Sequence, residues 1–218
     1  MLVKPIIEAC AADVADPDFV RTTTDRWLEF LNAAERQIVL VRPDAYAKFE
    51  SIRLVAGAKQ EIPAGGLRFL DAVRNMGDDG LTPGEVVTIT SRDPMAAKRS
   101  WASGTGSTVI RSVSFDARFP KTFWTYPPVD ASTPVYLEVG YSLIPPALED
   151  IENDEINLDA VYYNPIRQWM LHRHYAVNTQ SQVARARAGD YEKSFYQSLG
   201  IKLQMDVFVS PNQGALNG

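Results

Sequence analysis

The sequence predicts an α+β chain in which a helical bundle of N-terminal and C-terminal helices carries a β-rich insertion. Three observations predict it. Apolar residues recur at helical spacing in residues 24–41 and again in 164–200. The stretch between them, roughly 49–145, changes to β-branched runs punctuated by glycine and proline clusters. The length, 218 residues, suits one large domain or a domain with a sizeable insertion and is ample for a hydrophobic core. The resulting division is a flexible N-terminal arm, 1–20; a discontinuous helical domain, 21–48 with 146–200; the insertion, 49–145; and a C-terminal tail, 201–218.

Residues 1–20 hold Asp13, Asp16, Pro17 and Asp18 and read as a loose arm with at most one helical turn. Thr23 or Thr24 caps the next helix, and Asp25 lies near its positive end. Trp27, Leu31, Ala34 and Ile38 form its apolar stripe, widened by Leu28 and Phe30, and Arg42-Pro43 ends it. Residues 52–55 and 59–62 flank Ala56-Gly57-Ala58 as a hairpin. Residues 67–75 fit a strand or a helical turn or two, and 76–84 is a loop. Residues 85–90 are a strand, and Asp93-Pro94 opens a short helix ending near Trp101. Strands follow at 109–115, 123–126 and 135–143. In the last, Val135, Leu137, Val139 and Tyr141 share a face. Pro127-Pro128 and Pro145-Pro146 close those strands. Asn164-Pro165 starts a helix through Ile166, Trp169 and Met170. Ser181 caps the last one, whose face is Ala184, Ala188, Tyr191, Phe195 and Leu199 and whose end is Gly200.

The net charge of −5 argues against a coat that holds nucleic acid by phosphate neutralisation. Its distribution says more. Residues 147–161 carry Glu149, Asp150, Glu152, Asp154, Glu155 and Asp159 with no Lys or Arg. Residues 162–202 carry Arg167, Arg173, Arg185, Arg187, Lys193 and Lys202 against Asp190 and Glu192. Acidic Glu149, Asp150, Glu152, Asp154 and Glu155 and basic Arg167, Arg173, Arg185 and Arg187 are therefore candidate contacts, within a chain or between copies; the alternative is two solvated faces. No apolar run reaches bilayer length, and Glu8 and Asp13 spoil a signal peptide, so a soluble protein without a cleaved signal is expected.

Catalytic constellations are incomplete. His172 and His174, the only histidines, lie two positions apart on a helix and point to different faces, unlike the i, i+4 pair that shares a metal. Solvent-facing or interface histidines are the better reading. Cys10 cannot form an internal disulfide, and only Lys4 lies near it in sequence, so it makes a weak nucleophile. Gly104-Thr105-Gly106 precedes a strand, where a phosphate-binding loop would precede a helix. Phe115, Phe119, Phe123, Trp124 and Tyr126 are the right residue types for stacking bases, but alternation makes them core. No enzyme, cofactor or metal is expected.

Five short motifs carry a family resemblance: WLEFLNAAERQIV at 27–39 with RPDA at 42–45; AGAKQ at 56–60 with Pro63; LDAVRNMG at 70–77; FPKTFWTYPP at 119–128; and DAVYY at 159–163 leading to WMLHR at 169–173. In this order, over residues 20–200, the chain resembles the head-to-tail adaptor proteins of tailed bacteriophages. It differs at His172 and His174, where that pattern is more hydrophobic or small. The resemblance implies a virion structural protein at the head-tail junction, made in the host cytoplasm. It implies a ring of about twelve copies under the portal, with tail or nozzle proteins on the other side and DNA passing through the lumen without specific binding. In the tail, apolar Met205, Val207, Phe208 and Val209 then become candidate portal contacts. The alternatives are a head-completion or stopper protein, a tail-tube-associated protein, and, in a different class, a virion-associated cell-wall hydrolase.

Overall fold

A computed structural model describes residues 1–90, 104–177 and 180–201. The helix expected after Asp93-Pro94 lies outside the described residues. The described residues form a mixed α+β structure with four α-helices and two sheets. The chain divides into two compact units, Met1–Ile38 with Ala147–Gly218, and Val39–Pro146.

The first unit is helical. Residues 3–13, expected as part of a loose arm, form helix α1 (Val3–Asp13). The cause is a stripe that the acidic end of the segment hides: Val3, Ile6, Ile7, Cys10 and Ala11 are all buried, at the spacing of one helix face. Pro5 sits in the first turn, where its missing N–H breaks no helical bond. The start of the chain is tied down by Val3 N–H to Asp154 O (3.0 Å) and Ile156 N–H to Met1 O (2.9 Å). After α1, the buried Asp16 carboxylate accepts from the backbone N–H groups of Val20, Arg21 and Thr22 and so closes the connection to the next helix.

Helix α2 (Thr24–Val41) begins where Thr23 Oγ1 accepts from Arg26 N–H (3.3 Å) and ends before Pro43. Its stripe of Trp27, Leu31, Ala34 and Ile38 is fully buried, which stabilises the unit by about 1.5–3 kcal/mol for each large side chain. A 3-10 turn (Ala160–Tyr162), capped by Asp159 accepting from Val161 N–H, leads into α3 (Tyr163–Ala176). Asn164 is therefore inside the helix and not its cap, while Pro165 keeps its first-turn place. Ser181 caps α4 (Gln182–Ser198) through Ala184 N–H. Gly200, with φ +72°, ends it: its N–H bonds Gln197 O and that of Ile201 bonds Tyr196 O, the paired closure that a left-handed residue allows. Trp169 and Phe195 join α3 to α4 with ring centroids 4.8 Å apart.

The second unit holds two sheets around one apolar cluster that includes Phe69, Ile110, Val113, Phe123, Leu137 and Val139. After a 3-10 turn (Pro43–Tyr46) come β1 (Ala47–Arg53), β2 (Gly57–Glu61), β3 (Gly66–Asn75), β4 (Thr88–Ile89), β5 (Ser112–Phe115), β6 (Thr122–Val129) and β7 (Tyr136–Leu143). The first sheet is antiparallel in the order β1-β7-β3. The second runs β2-β6-β5-β4, with β4 parallel to β5. The expected hairpin at 52–62 does not form, because β1 and β2 belong to different sheets. Leu54 N–H bonds Val135 O, and the buried Gln60 side chain satisfies Val55 N–H, Val55 O and Gly57 O, so a side chain closes the corner in place of a two-strand ladder. Pro127-Pro128 lies inside β6 and does not end it. Those prolines fall where pairing with β2 is irregular, and Pro128 O still accepts from Ser107 N–H. Of the stretches read as strands at 85–90 and 109–115, only 88–89 and 112–115 are strand. Val135, Leu137, Val139 and Tyr141 are all buried, as their alternation predicts.

Candidate assembly surface

The acidic segment is partly wired into its own loop. Asp154 accepts from the N–H groups of Glu149 and Asp150, at 2.8 and 2.9 Å. Asp150 accepts from Asn153 Nδ2 (2.7 Å) and from Glu152 and Asn153 N–H, bonds that hold its carboxyl below the usual carboxylate range. Glu152 pairs with Lys4 Nζ at 2.8 Å, and Glu155 lies 3.5 Å from the N-terminal ammonium. Glu149 is exposed and makes no ion pair among the described residues. Two side-chain clamps moor the segment to α2. Asn32 exchanges hydrogen bonds with Leu148 N–H and O, and Glu35 accepts from Asn157 N–H and Nδ2, both at 2.7 Å.

The four candidate arginines divide. Arg167 pairs with Asp13 and lies 5.4 Å from the Tyr163 ring centroid; Arg187 donates to Tyr175 Oη (3.0 Å) and sits 5.4 Å over that ring. Arg173 and Arg185 are exposed and make no ion pair among the described residues. The tail residues Met205, Val207, Phe208 and Val209 lie outside the described residues.

A cleft of about 590 Å³ opens at the head of α2, within the helical unit, where Arg21, Arg26 and Phe30 face His174 and Tyr175 of α3 and Ala184 of α4. No motif pointed to it, because its walls come from three separated stretches. Arg26 lies over Phe30 at 5.0 Å and pairs with Glu29, while Arg21 Nη2 donates to Ala15 O at 3.1 Å.

Of the two roles expected for the histidines, solvent-facing or interface, the first does not hold: both are half-buried and pack against other side chains. His174 stacks on Trp27 (5.2 Å, 6°) with Nδ1 3.1 Å from Thr22 Oγ1, and burial lowers its pKa. His172 tilts on Trp169 and has Nδ1 2.9 Å from Ala188 O. Cys10 is buried with Sγ 4.0 Å from Met170 Sδ, and burial pushes its thiol up to about 12. Phe123 is core, fully buried and 4.8 Å from Phe69, whereas Phe115, 5.3 Å from Phe69, and Phe119 are exposed and Trp124 and Tyr126 half-buried, so the expected core placement holds only for Phe123. Among the described residues no group of His, Cys, Asp or Glu is placed to hold a metal ion, and no helix is long and apolar enough to cross a membrane.

The described residues thus define an α+β protein whose surface carries an acidic loop and exposed arginines. The chain belongs to the SU10 adaptor protein family, whose model it matches over residues 1–215. This is the phage head-to-tail adaptor family that the five motifs resemble, and the match also takes in residues 1–19 and 201–215, which the motifs leave uncovered. No curated protein matches the chain.

Proposed function

We propose that the chain is a virion structural protein that forms a ring, of about twelve copies, joining the portal to the tail proteins and letting DNA pass. The observation that carries this reading is the family match across residues 1–215. The charge of −5 supports it, since a lumen that is not strongly basic lets a polyanion slide. The helical unit, as a bundle, is the joint between copies; Met205, Val207, Phe208 and Val209 in the tail contact the portal. The reading has no catalytic step and no cofactor.

Heads purified before tail attachment, with the portal exposed, provide the test. Full-length protein mixed with such heads is expected to co-sediment and to add a ring of density beneath the portal in electron micrographs. A chain ending at Lys202 is expected to keep its fold by circular dichroism and lose co-sedimentation. Full-length protein that stays in the supernatant overturns the adaptor reading. A truncated chain that binds as well as the full chain removes the tail from it.

A further inference from the structure

Among the described residues nothing fills the cleft at the head of α2. We propose that it is the socket for the acidic loop, residues 149–152, of a neighbouring copy; this rests on the ring reading above and names its contact.

The cleft recognises carboxylates through guanidinium groups. Asp16 already takes the N–H groups of Val20, Arg21 and Thr22, so the backbone of the preceding loop has little left to donate. Arg21 and Arg26 are exposed, and each uses only part of its five-donor fork, on Ala15 O and on Glu29 respectively. Arg173 precedes His174 at the end of α3 and Arg185 follows Ala184 at the start of α4, both exposed and unpaired among the described residues. Of these four, Arg21 and Arg26 line the cleft itself. Phe30 and Tyr175 supply apolar walls, and Val177 is a 63% exposed edge.

The loop is the complementary piece. Residues 147–161 contain six carboxylates and no Lys or Arg. Asp150 and Asp154 fix its backbone, so little ordering entropy opposes docking. Glu149 and Glu152 remain solvent-facing, the latter with a side chain 64% exposed beside Lys4. No residue of 147–161 lines the cleft of its own chain. Asn32 and Glu35 moor residues 148 and 157 along the middle of α2, roughly 12 and 17 Å from Thr24 at the α-helical rise. Socket and loop are thus different patches of one chain, which is the geometry of a head-to-tail contact that propagates from copy to copy.

Sedimentation equilibrium of the full chain at low salt tests this with two pairs of neutralising substitutions, Arg21→Gln with Arg26→Gln, and Glu149→Gln with Glu152→Gln. Each variant is expected to keep the wild-type circular dichroism and to associate at least about tenfold more weakly than wild type. An equal mixture of the two retains one intact socket facing one intact loop, so it is expected to form dimers that grow no further. Variants that associate like wild type, or a mixture no more associated than either variant alone, overturn the socket. A wild type that stays monomeric at its highest soluble concentration also overturns it, and co-sedimentation with heads then decides the adaptor reading separately.

Discussion

Glu35 is 1% exposed on α2, and its carboxylate has donors around it, Asn157 N–H and Nδ2, but makes no ion pair among the described residues. Burial raises its pKa above the ordinary 4.5, and the Asn157 bonds offset only part of that. The folded state therefore holds this proton more tightly than the unfolded chain. The resulting stability is fully present below pH 4.5 and is lost as pH rises through the folded value. Urea midpoints of wild type and Glu35→Gln, measured from about pH 4 to about pH 8, should diverge as pH rises, with wild type losing ground; parallel curves would refute the buried charge. At Gly140 the constraint is steric. A Cβ there meets the Phe49 ring of the paired strand β1, whose register sets Phe49 opposite Gly140. Gly140→Ala should cost about 1–3 kcal/mol in thermal unfolding, and most of that loss should vanish in a Phe49→Ala background. Equal losses in both backgrounds would show that the ring is not the obstacle.

At the scale of elements, α1 offers the sharpest contrast between a packed helix and a loose arm. Ile6 is fully buried, Cys10 touches Met170, and Asp13 pairs with Arg167. Ile6→Ala should destabilise the helical unit by about 2–4 kcal/mol and speed amide exchange in α3, whereas a change in a solvated arm would do neither. The stripe of Val3, Ile6, Ile7, Cys10 and Ala11 is present in the sequence, but Asp13, Asp16, Pro17 and Asp18 are loop-type residues that mask it. Helix α2 and strand β7 were legible because each buries one clean face at its own period. The false hairpin at 52–62 shows where local pattern stops: β1 pairs with β7, some ninety positions away, and no turn signal encodes that choice. The candidate surface behaves likewise. The acidic and basic segments could be read from charge alone, yet Lys4 and Asp13 engage Glu152 and Arg167, and only the fold brings those partners together.

For the whole molecule, the proposed passage of DNA makes its response to a polyanion the decisive question. Binding duplex DNA tightly requires several phosphates to be neutralised at once, with an affinity that falls steeply as salt rises. The chain carries 22 basic side chains against 27 acidic ones. Several of its arginines are already engaged, Arg167 with Asp13, Arg118 with Asp116 and Arg74 with Glu138. Others, among them Arg36, Arg53, Arg111, Arg173 and Arg185, are exposed and make no ion pair among the described residues. The acidic excess of the chain works against holding DNA by its phosphates. Fluorescence anisotropy of a short labelled duplex, titrated with full-length protein at physiological ionic strength, should show no saturable binding. Lowering the salt should not reveal the steep dependence that release of several counterions produces. A complex whose affinity fell by about a thousandfold or more between 50 and 200 mM salt would mean that the chain grips DNA by its phosphates, and would count against a lumen built for passage.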